Sequence, residues 1–141
     1  MKENLIVYFI QTDLFWQDKE ANLLNLENLI FPLNKPDIIL LPEMFNTAFC
    51  PRATHLAETM QDNTVNWMIN ISKKMQCAVS GTLMVKENGN IFNRLVWISK
   101  SGKIYSYDKR HLFSLTPIHL HKAGKVLFGN FFKSSRRSPI D

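Results

Sequence analysis

The segment IILLPEMF, residues 38–45, decides the fold of this chain. Its first four residues are consecutive aliphatic side chains, a pattern typical of a strand buried on both faces and too short for a helix. Pro42 ends this strand, because proline has no N–H to donate to a neighbouring strand and its ring fixes φ. Glu43 is therefore presented at the carboxyl end of a buried strand, where open α/β sheets place their functional sites.

Glu43 has two interpretations from this segment alone. Leu41, Met44 and Phe45 flank it, and desolvation among apolar side chains would disfavour the charged carboxylate, as in a general base. The alternative is a glutamate at a strand end that points into water. The segment by itself leaves both interpretations open.

The elements around this strand predict an α/β layered fold of order β-α-β-α-β-β-β. Strands are expected over residues 5–11, 38–41, 78–85, 91–99 and 103–107, and helices over residues 18–31 and from about residue 62 to residue 74. Asn88-Gly89 lies between two apolar runs, which is the strongest short signal for a β-hairpin. The chain therefore begins with alternating strands and helices and continues as a meander.

Length and composition are those of a single globular domain. The chain has 141 residues, 45% of them hydrophobic and 21% charged, as in soluble proteins. No apolar run reaches the length of a membrane span, and the N-terminus carries no secretory pattern. Cys50 and Cys77 fit no metal or redox spacing. We therefore expect a cytoplasmic protein with no membrane partner and no bound metal.

The net charge of +5 is concentrated near the C-terminus. Residues 1–121 carry 12 lysines and arginines against 11 aspartates and glutamates, whereas residues 122–141 carry five against one. The body of the chain has no basic stripe interleaved with aromatic residues, so no nucleic-acid partner is expected. We expect residues 125–141 to form a disordered basic tail.

A second candidate for chemistry is the segment YDKRHLF, residues 107–113, which follows the last predicted strand. Opposite a buried carboxylate, the Lys109 ammonium would stay charged and donate hydrogen bonds. The alternative is a solvated basic loop, which spacing alone favours. His119 and His121 share a face if extended, but with no other ligand nearby they are interpreted as solvated.

LLPEMFNTAF (40–49) and YDKRHLF together resemble the nitrilase superfamily of carbon–nitrogen hydrolases, and in particular its omega-amidase-like branch. The resemblance covers about residues 4–114 and includes the strand SGTLMV, residues 80–85. It implies the N-terminal part of an αββα sandwich, with a partial hydrolase domain over residues 1–124. It also implies hydrolysis of small 2-oxo acid amides to acid and ammonia, with no cofactor.

The resemblance implies roles for two residues, and Phe45 is a third candidate from its place beside a strand end. The family uses a Glu–Lys–Cys triad, in which Glu43 stands at the position of the general base and Lys109 at that of the lysine. A thiol needs a base beside it to attack at neutral pH, and an ammonium can stabilise the oxyanion that forms. Phe45 is expected to line the substrate pocket, with packing in the core as the alternative.

The cysteine of the triad is missing from this sequence after Lys109. The likeness ends abruptly, with Ile118 where the family has an assisting glutamate, which predicts a frameshift or truncation that the coding DNA would reveal. Cys50 is a weak substitute, since a loop cysteine before a proline is usually inert, and Cys77 is expected in the core. We therefore expect the isolated chain to be inactive.

Two other classes of function stay open from the sequence. One is a non-catalytic binding or regulatory chain with a pseudo-active site, and the other is a nucleic-acid binder that uses its basic tail. Half of a sandwich would also leave an apolar face and an unpaired edge. We therefore expect aggregation, partial folding or a homodimer.

Overall fold

The computed structural model describes residues 4–112, so the predictions for Ile118, for the histidine pair and for the tail at 125–141 lie outside the described residues. Within that range the chain folds into one mixed sheet with helices packed against it. The strands are β1 (Val7–Phe9), β2 (Ile38–Leu40), β3 (Ala78–Glu87), β4 (Asn90–Ile98) and β5 (Ile104–Asp108); the α-helices are α1 (Lys19–Ile30) and α2 (Asn63–Met75), and a short 3₁₀ helix spans Thr54–Leu56.

The strands lie in the sheet in the order in which they occur along the chain, β1-β2-β3-β4-β5. β1, β2 and β3 are parallel, and β3, β4 and β5 form an antiparallel meander. The predicted α/β class and the predicted order of elements are confirmed. β1 is shorter than predicted, because β2 offers it only three residues to pair with.

Helix α1 begins where the sequence indicates. The Asp18 carboxylate accepts a hydrogen bond from the backbone N–H of Ala21 at 3.0 Å, which satisfies one free donor of the first turn. Helix α2 begins differently, because the Asp62 carboxylate accepts from the backbone N–H of Thr59 at 2.6 Å instead of capping its own helix. Gln76 ends α2 in the left-handed conformation, with φ at 54°.

The main core lies between these helices and one face of the sheet. It contains Leu26 and Ile30 of α1, Val65, Met68 and Ile71 of α2, and the strand residues Ile39, Val79, Leu83, Val85, Val96 and Ile98. Because strand side chains alternate between faces, the residues in between point to the other side of the sheet. On that side, which we call the open face, Phe9 is 76% exposed and Leu95 is 38% exposed.

Candidate active site

The turn after β2 presents Glu43 and is fixed to the neighbouring strand β3. The backbone N–H of Met44 donates to Thr82 Oγ1 at 2.9 Å, and the backbone N–H of Phe45 donates to the Thr82 carbonyl at 3.2 Å. Met44 has φ at 48°, a left-handed conformation that costs energy in a residue other than glycine. Thr82 therefore holds a strained turn in place directly after Glu43.

Gly81 makes this close approach feasible. A Cβ atom at this position would lie 2.7 Å from Phe45 Cδ1 and 2.9 Å from Leu41 Cβ, so any larger residue would collide with the turn. The sequence identified the segment that contains Gly81 and Thr82 only as a strand. A glycine inside an otherwise apolar strand is the available signal for such a contact.

Glu43 and Lys109 meet in the folded chain. Lys109 Nζ lies 2.7 Å from Glu43 Oε1, although the two residues are 66 positions apart in the sequence. The Asn93 side chain also takes part, because its Nδ2 donates to the same Oε1 at 2.7 Å. The structure thus brings together the two residues chosen from the sequence and adds an amide that sequence analysis missed.

The strand register explains why these side chains converge. The backbone N–H of Lys109 donates to the Asn93 carbonyl at 2.9 Å, which continues the pairing of β4 and β5 by one residue past Arg94 and Asp108. Directly opposite residues of an antiparallel pair share a face of the sheet. Asn93 and Lys109 therefore point to one face, and Arg94 and Asp108 point to the other.

Arg94 forms an ion cluster on that second face. Its Nε and Nη2 bind the two oxygens of Asp108 at 2.6 and 2.8 Å, and its Nη1 and Nη2 bind the two oxygens of Glu87 at 3.3 and 3.0 Å. These hydrogen bonds, first to Asp108 and then to Glu87, raise the pKa of Arg94 against the effect of its burial. The hydrogen bond from Arg94 lowers the pKa of Glu87.

The surroundings of Glu43 differ from the predicted apolar environment. Its side chain is 42% exposed and that of Lys109 is 37% exposed, so Leu41, Met44 and Phe45 do not enclose the carboxylate. The reason is the turn, which directs Met44 and Phe45 into buried positions. The carboxylate of Glu43 is thus partly exposed and is also bound by the ammonium of Lys109.

Phe45 is placed in the core rather than beside a substrate. Its ring is completely buried, and its centroid lies 5.8 Å from that of Trp67. An aromatic ring with no accessible surface cannot contact a ligand. The structure therefore supports the alternative of core packing for Phe45 and corrects the expectation of a pocket-lining role.

Neither cysteine is available as a nucleophile in the described residues. Cys50 is buried, and its thiol donates to the Thr47 carbonyl at 3.5 Å. Burial raises the pKa of the Cys77 thiol to about 11, and the negative charge of Asp37 adds to this effect. Only a thiolate attacks a carbonyl efficiently. Both thiols are therefore held in buried positions in the described structure.

Residues 4–112 contain neither a metal-binding cluster nor a membrane-spanning helix. No group of three or more histidine, cysteine, aspartate or glutamate side chains is arranged to hold a metal ion in this range. None of the helices in the same range has the length and apolar character required to cross a bilayer.

Comparison with known proteins identifies the family of this chain. The sequence model of the carbon–nitrogen hydrolases matches residues 7–139. The chain belongs to the carbon–nitrogen hydrolase family. The match extends beyond residue 124, so the domain boundary proposed there stays a prediction.

Individual carbon–nitrogen hydrolases support the more detailed resemblance to omega-amidases. The chain is 33% identical over 123 residues to the omega-amidase YafV of Escherichia coli (strain K12), covering 86% of this chain and 48% of the relative. It is 28% identical over 116 residues to the 2-oxoglutaramate amidase of Bacillus subtilis (strain 168), covering 79% and 45%. The chain thus spans about half the length of the curated relatives it matches.

A solved carbon–nitrogen hydrolase has the same fold. A superfamily protein of Xanthomonas campestris, determined with an arsenic adduct in its active site, superimposes with a TM-score of 0.80 at 31% identity. The superposition covers 87% of this chain and 47% of that protein. The fold is therefore that of the nitrilase superfamily, and this chain covers part of the complete domain.

Proposed function

We propose that this chain supplies the general base and the oxyanion-binding ammonium of an amidase site for small 2-oxo acid amides. The observation that carries the proposal is the 2.7 Å contact between Lys109 Nζ and Glu43 Oε1. The names of the relatives, an omega-amidase and a 2-oxoglutaramate amidase, support the choice of substrate class.

In this mechanism Glu43 removes the proton of a cysteine thiol as the sulfur attacks the amide carbon. The ammonium of Lys109 donates to the oxygen that becomes negatively charged in the tetrahedral intermediate. The C–N bond then breaks, and Glu43 returns the proton to the departing nitrogen, which leaves as ammonia. Glu43 next takes a proton from water as its oxygen attacks the thioester. When the C–S bond breaks, Glu43 passes this proton to the sulfur, which restores the thiol and releases the acid.

In this proposal the thiol comes from polypeptide outside this sequence, which is supported by the burial of both cysteines in the described structure. A separate polypeptide can test this. The part of the Escherichia coli relative that the match leaves out would be produced alone and mixed with the full 141-residue chain. Co-elution on gel filtration would establish that the two associate, and ammonia release from 2-oxoglutaramate would then be measured.

We expect ammonia release from the associated pair and none from either polypeptide alone. Glu43→Gln and Lys109→Met should each abolish release, because they remove the base and the oxyanion donor. Losing one oxyanion donor typically lowers kcat by about a hundredfold to a thousandfold. The matched controls are Glu20→Gln and Lys86→Met, which alter exposed side chains away from Glu43.

Two results would contradict the proposal. One is a co-eluting pair that binds 2-oxoglutaramate and releases no ammonia, which would leave the non-catalytic binding chain as the better interpretation. The other is full activity of Glu43→Gln, since the amide of glutamine cannot serve as the base.

A further inference from the structure

We infer that Asn93 is a positioning residue that assigns different tasks to the two oxygens of Glu43. Oε1 is held in place by hydrogen bonds, and Oε2 is the atom that accepts and returns the proton. This inference rests on the proposed function for the assignment of the proton, and on geometry alone for the hydrogen bond of Asn93.

The two oxygens of Glu43 have different partners. Oε1 accepts from Lys109 Nζ and from Asn93 Nδ2, both at 2.7 Å. The two hydrogen bonds that the described residues make to this carboxylate thus both end on Oε1. Hydrogen bonds to a carboxylate oxygen stabilise its charge and make it less basic. Oε2 is thus the better proton acceptor of the two oxygens.

Asn93 is held more firmly than the carboxylate it binds. Asn93 is only 2% exposed. Its backbone lies inside β4, where it pairs with Met84 of β3 on one side. On the other side its carbonyl accepts the N–H of Lys109. The amide and the ammonium are therefore tied to one pair of strands, and they bind Glu43 as a unit.

The orientation of the Asn93 amide follows from chemistry. A carboxylate only accepts hydrogen bonds, so the NH₂ group has to face Glu43. The amide oxygen then points away and lacks a hydrogen-bond partner among the described residues. A buried acceptor without a partner destabilises the fold, and leucine would fill the same space without that cost. The contact with Glu43 accounts for asparagine at this position.

This arrangement has a consequence for the proton transfer. Hydrogen bonds to an sp² oxygen prefer to lie near its plane. Two donors on Oε1 therefore restrict the orientation of the whole carboxylate and the position of Oε2. The thiol proton moves to Oε2 and returns from Oε2 to the departing nitrogen. Lys109 keeps its proton throughout, so its remaining N–H groups stay available for the oxyanion.

The hydrogen bond itself can be tested on the 141-residue chain without any activity. In ¹⁵N-labelled protein, the side-chain NH₂ signal of Asn93 is assigned with the help of an Asn93→Asp sample and followed as the pH is lowered. We expect one of its two protons to shift as Glu43 becomes protonated. In Glu43→Ala, which alters a hydrated side chain, this shift should disappear. The inference would be wrong if the Asn93 NH₂ signal did not change with pH, or if it still shifted in Glu43→Ala.

The positioning role can be tested by kinetics in the pair of polypeptides described above. Asn93→Leu should lower kcat by about tenfold to a hundredfold, since a misplaced base reacts slowly. It should leave KM close to that of the unmodified pair, because Asn93 binds Glu43 and not the substrate. Val96→Ala, which makes a cavity in the same strand on the other face, should leave both kcat and KM close to those of the unmodified pair.

The two tests separate the inference from the proposed function. If the unmodified pair of polypeptides co-elutes, binds 2-oxoglutaramate and releases no ammonia, the proposed function fails, and the NMR titration still decides whether Asn93 binds Glu43. If the pair is active and Asn93→Leu has the kcat of the unmodified pair, the positioning role is wrong while the proposed function stands.

Discussion

Arg94 holds Asp108 by two parallel hydrogen bonds, from Nε to Oδ1 at 2.6 Å and from Nη2 to Oδ2 at 2.8 Å. This planar, two-point contact is among the strongest that charged side chains form. Asp108 directly precedes Lys109, so the contact fixes the end of β5 from the face opposite Glu43. The position of the Lys109 ammonium thus depends on an ion pair that does not touch it.

Replacing Arg94 should therefore destabilise the fold and disturb the site. In Arg94→Met, Asp108 keeps its charge in a largely buried position without its partner. We expect the free energy of unfolding to fall by about 3 kcal/mol, the lower end of the range for breaking a buried ion pair. Urea unfolding followed by circular dichroism measures the loss. Lys100→Met, an exposed change, should stay within about 0.5 kcal/mol of the original protein.

The contact between Glu87 and Arg94 should make stability depend on pH. Because the pKa of Glu87 is lowered in the folded chain, the contact stabilises the fold above the carboxyl's unfolded pKa. This stabilisation disappears as the pH falls through the folded pKa. Glu87 is 49% exposed, so Glu87→Gln should cost only about 0.2–1 kcal/mol at neutral pH. An equal cost in strong acid, measured by urea unfolding, would contradict this account.

Gly81→Ala should weaken the fold by about 1–3 kcal/mol, the usual cost of overpacking. The added methyl group would meet the ring of Phe45 at 2.7 Å, and that ring is completely buried and has no room to move. Thermal unfolding measures the effect. Ser106→Ala introduces alanine at an exposed strand position and should be nearly neutral, and equal melting temperatures for the two variants would argue against the close packing.

Both thiols should resist modification in the folded chain. The pKa of Cys77 is raised to about 11, and the Cys50 thiol is buried against the Thr47 carbonyl. At neutral pH we expect slow reaction with a thiol reagent, at a rate set by opening of the fold, and rapid reaction of both thiols in denaturant. Ser101→Cys gives an exposed thiol as a positive control. Rapid modification of Cys50 in the native chain would restore it as a candidate nucleophile.

The open face should promote self-association of the 141-residue chain. Phe9 is 76% exposed there, and contact between two such faces would bury apolar surface. We expect sedimentation velocity to show a dimer or larger species whose share grows with concentration. Phe9→Lys should shift the distribution toward monomer, whereas Phe15→Lys, in an exposed loop residue, should have less effect. A strict monomer at high concentration would refute this expectation.

Local patterns were sufficient to predict the elements of the fold, because each has its own periodicity or turn signal. The residues at which each strand begins and ends depend on the neighbouring strand with which it pairs. β1 stops at Phe9 because β2 pairs with only three of its residues, and β3 continues to Glu87 because β4 pairs with it up to the Asn88–Gly89 turn. Such limits depend on residues far away in the sequence.

The site was predicted less completely than the fold. Glu43 and Lys109 were joined by family resemblance, since no local pattern connects residues 66 positions apart. Phe45 lies in the core and not in a substrate pocket, because the left-handed conformation of Met44 turns the chain inward. Asn93 and Arg94 are adjacent polar residues in a strand, and only the register assigns one to Glu43 and the other to Asp108.

The chain-order arrangement of the sheet has a consequence for synthesis on the ribosome. Each strand that emerges finds its neighbour already made, and growth of the sheet proceeds from β1 toward β5 at a single edge. The contact between Glu43 and Lys109 closes only after the last of these strands has docked. Formation of this ion pair therefore marks the docking of β5, and a nascent chain interrupted before β5 displays the carboxylate without its ammonium.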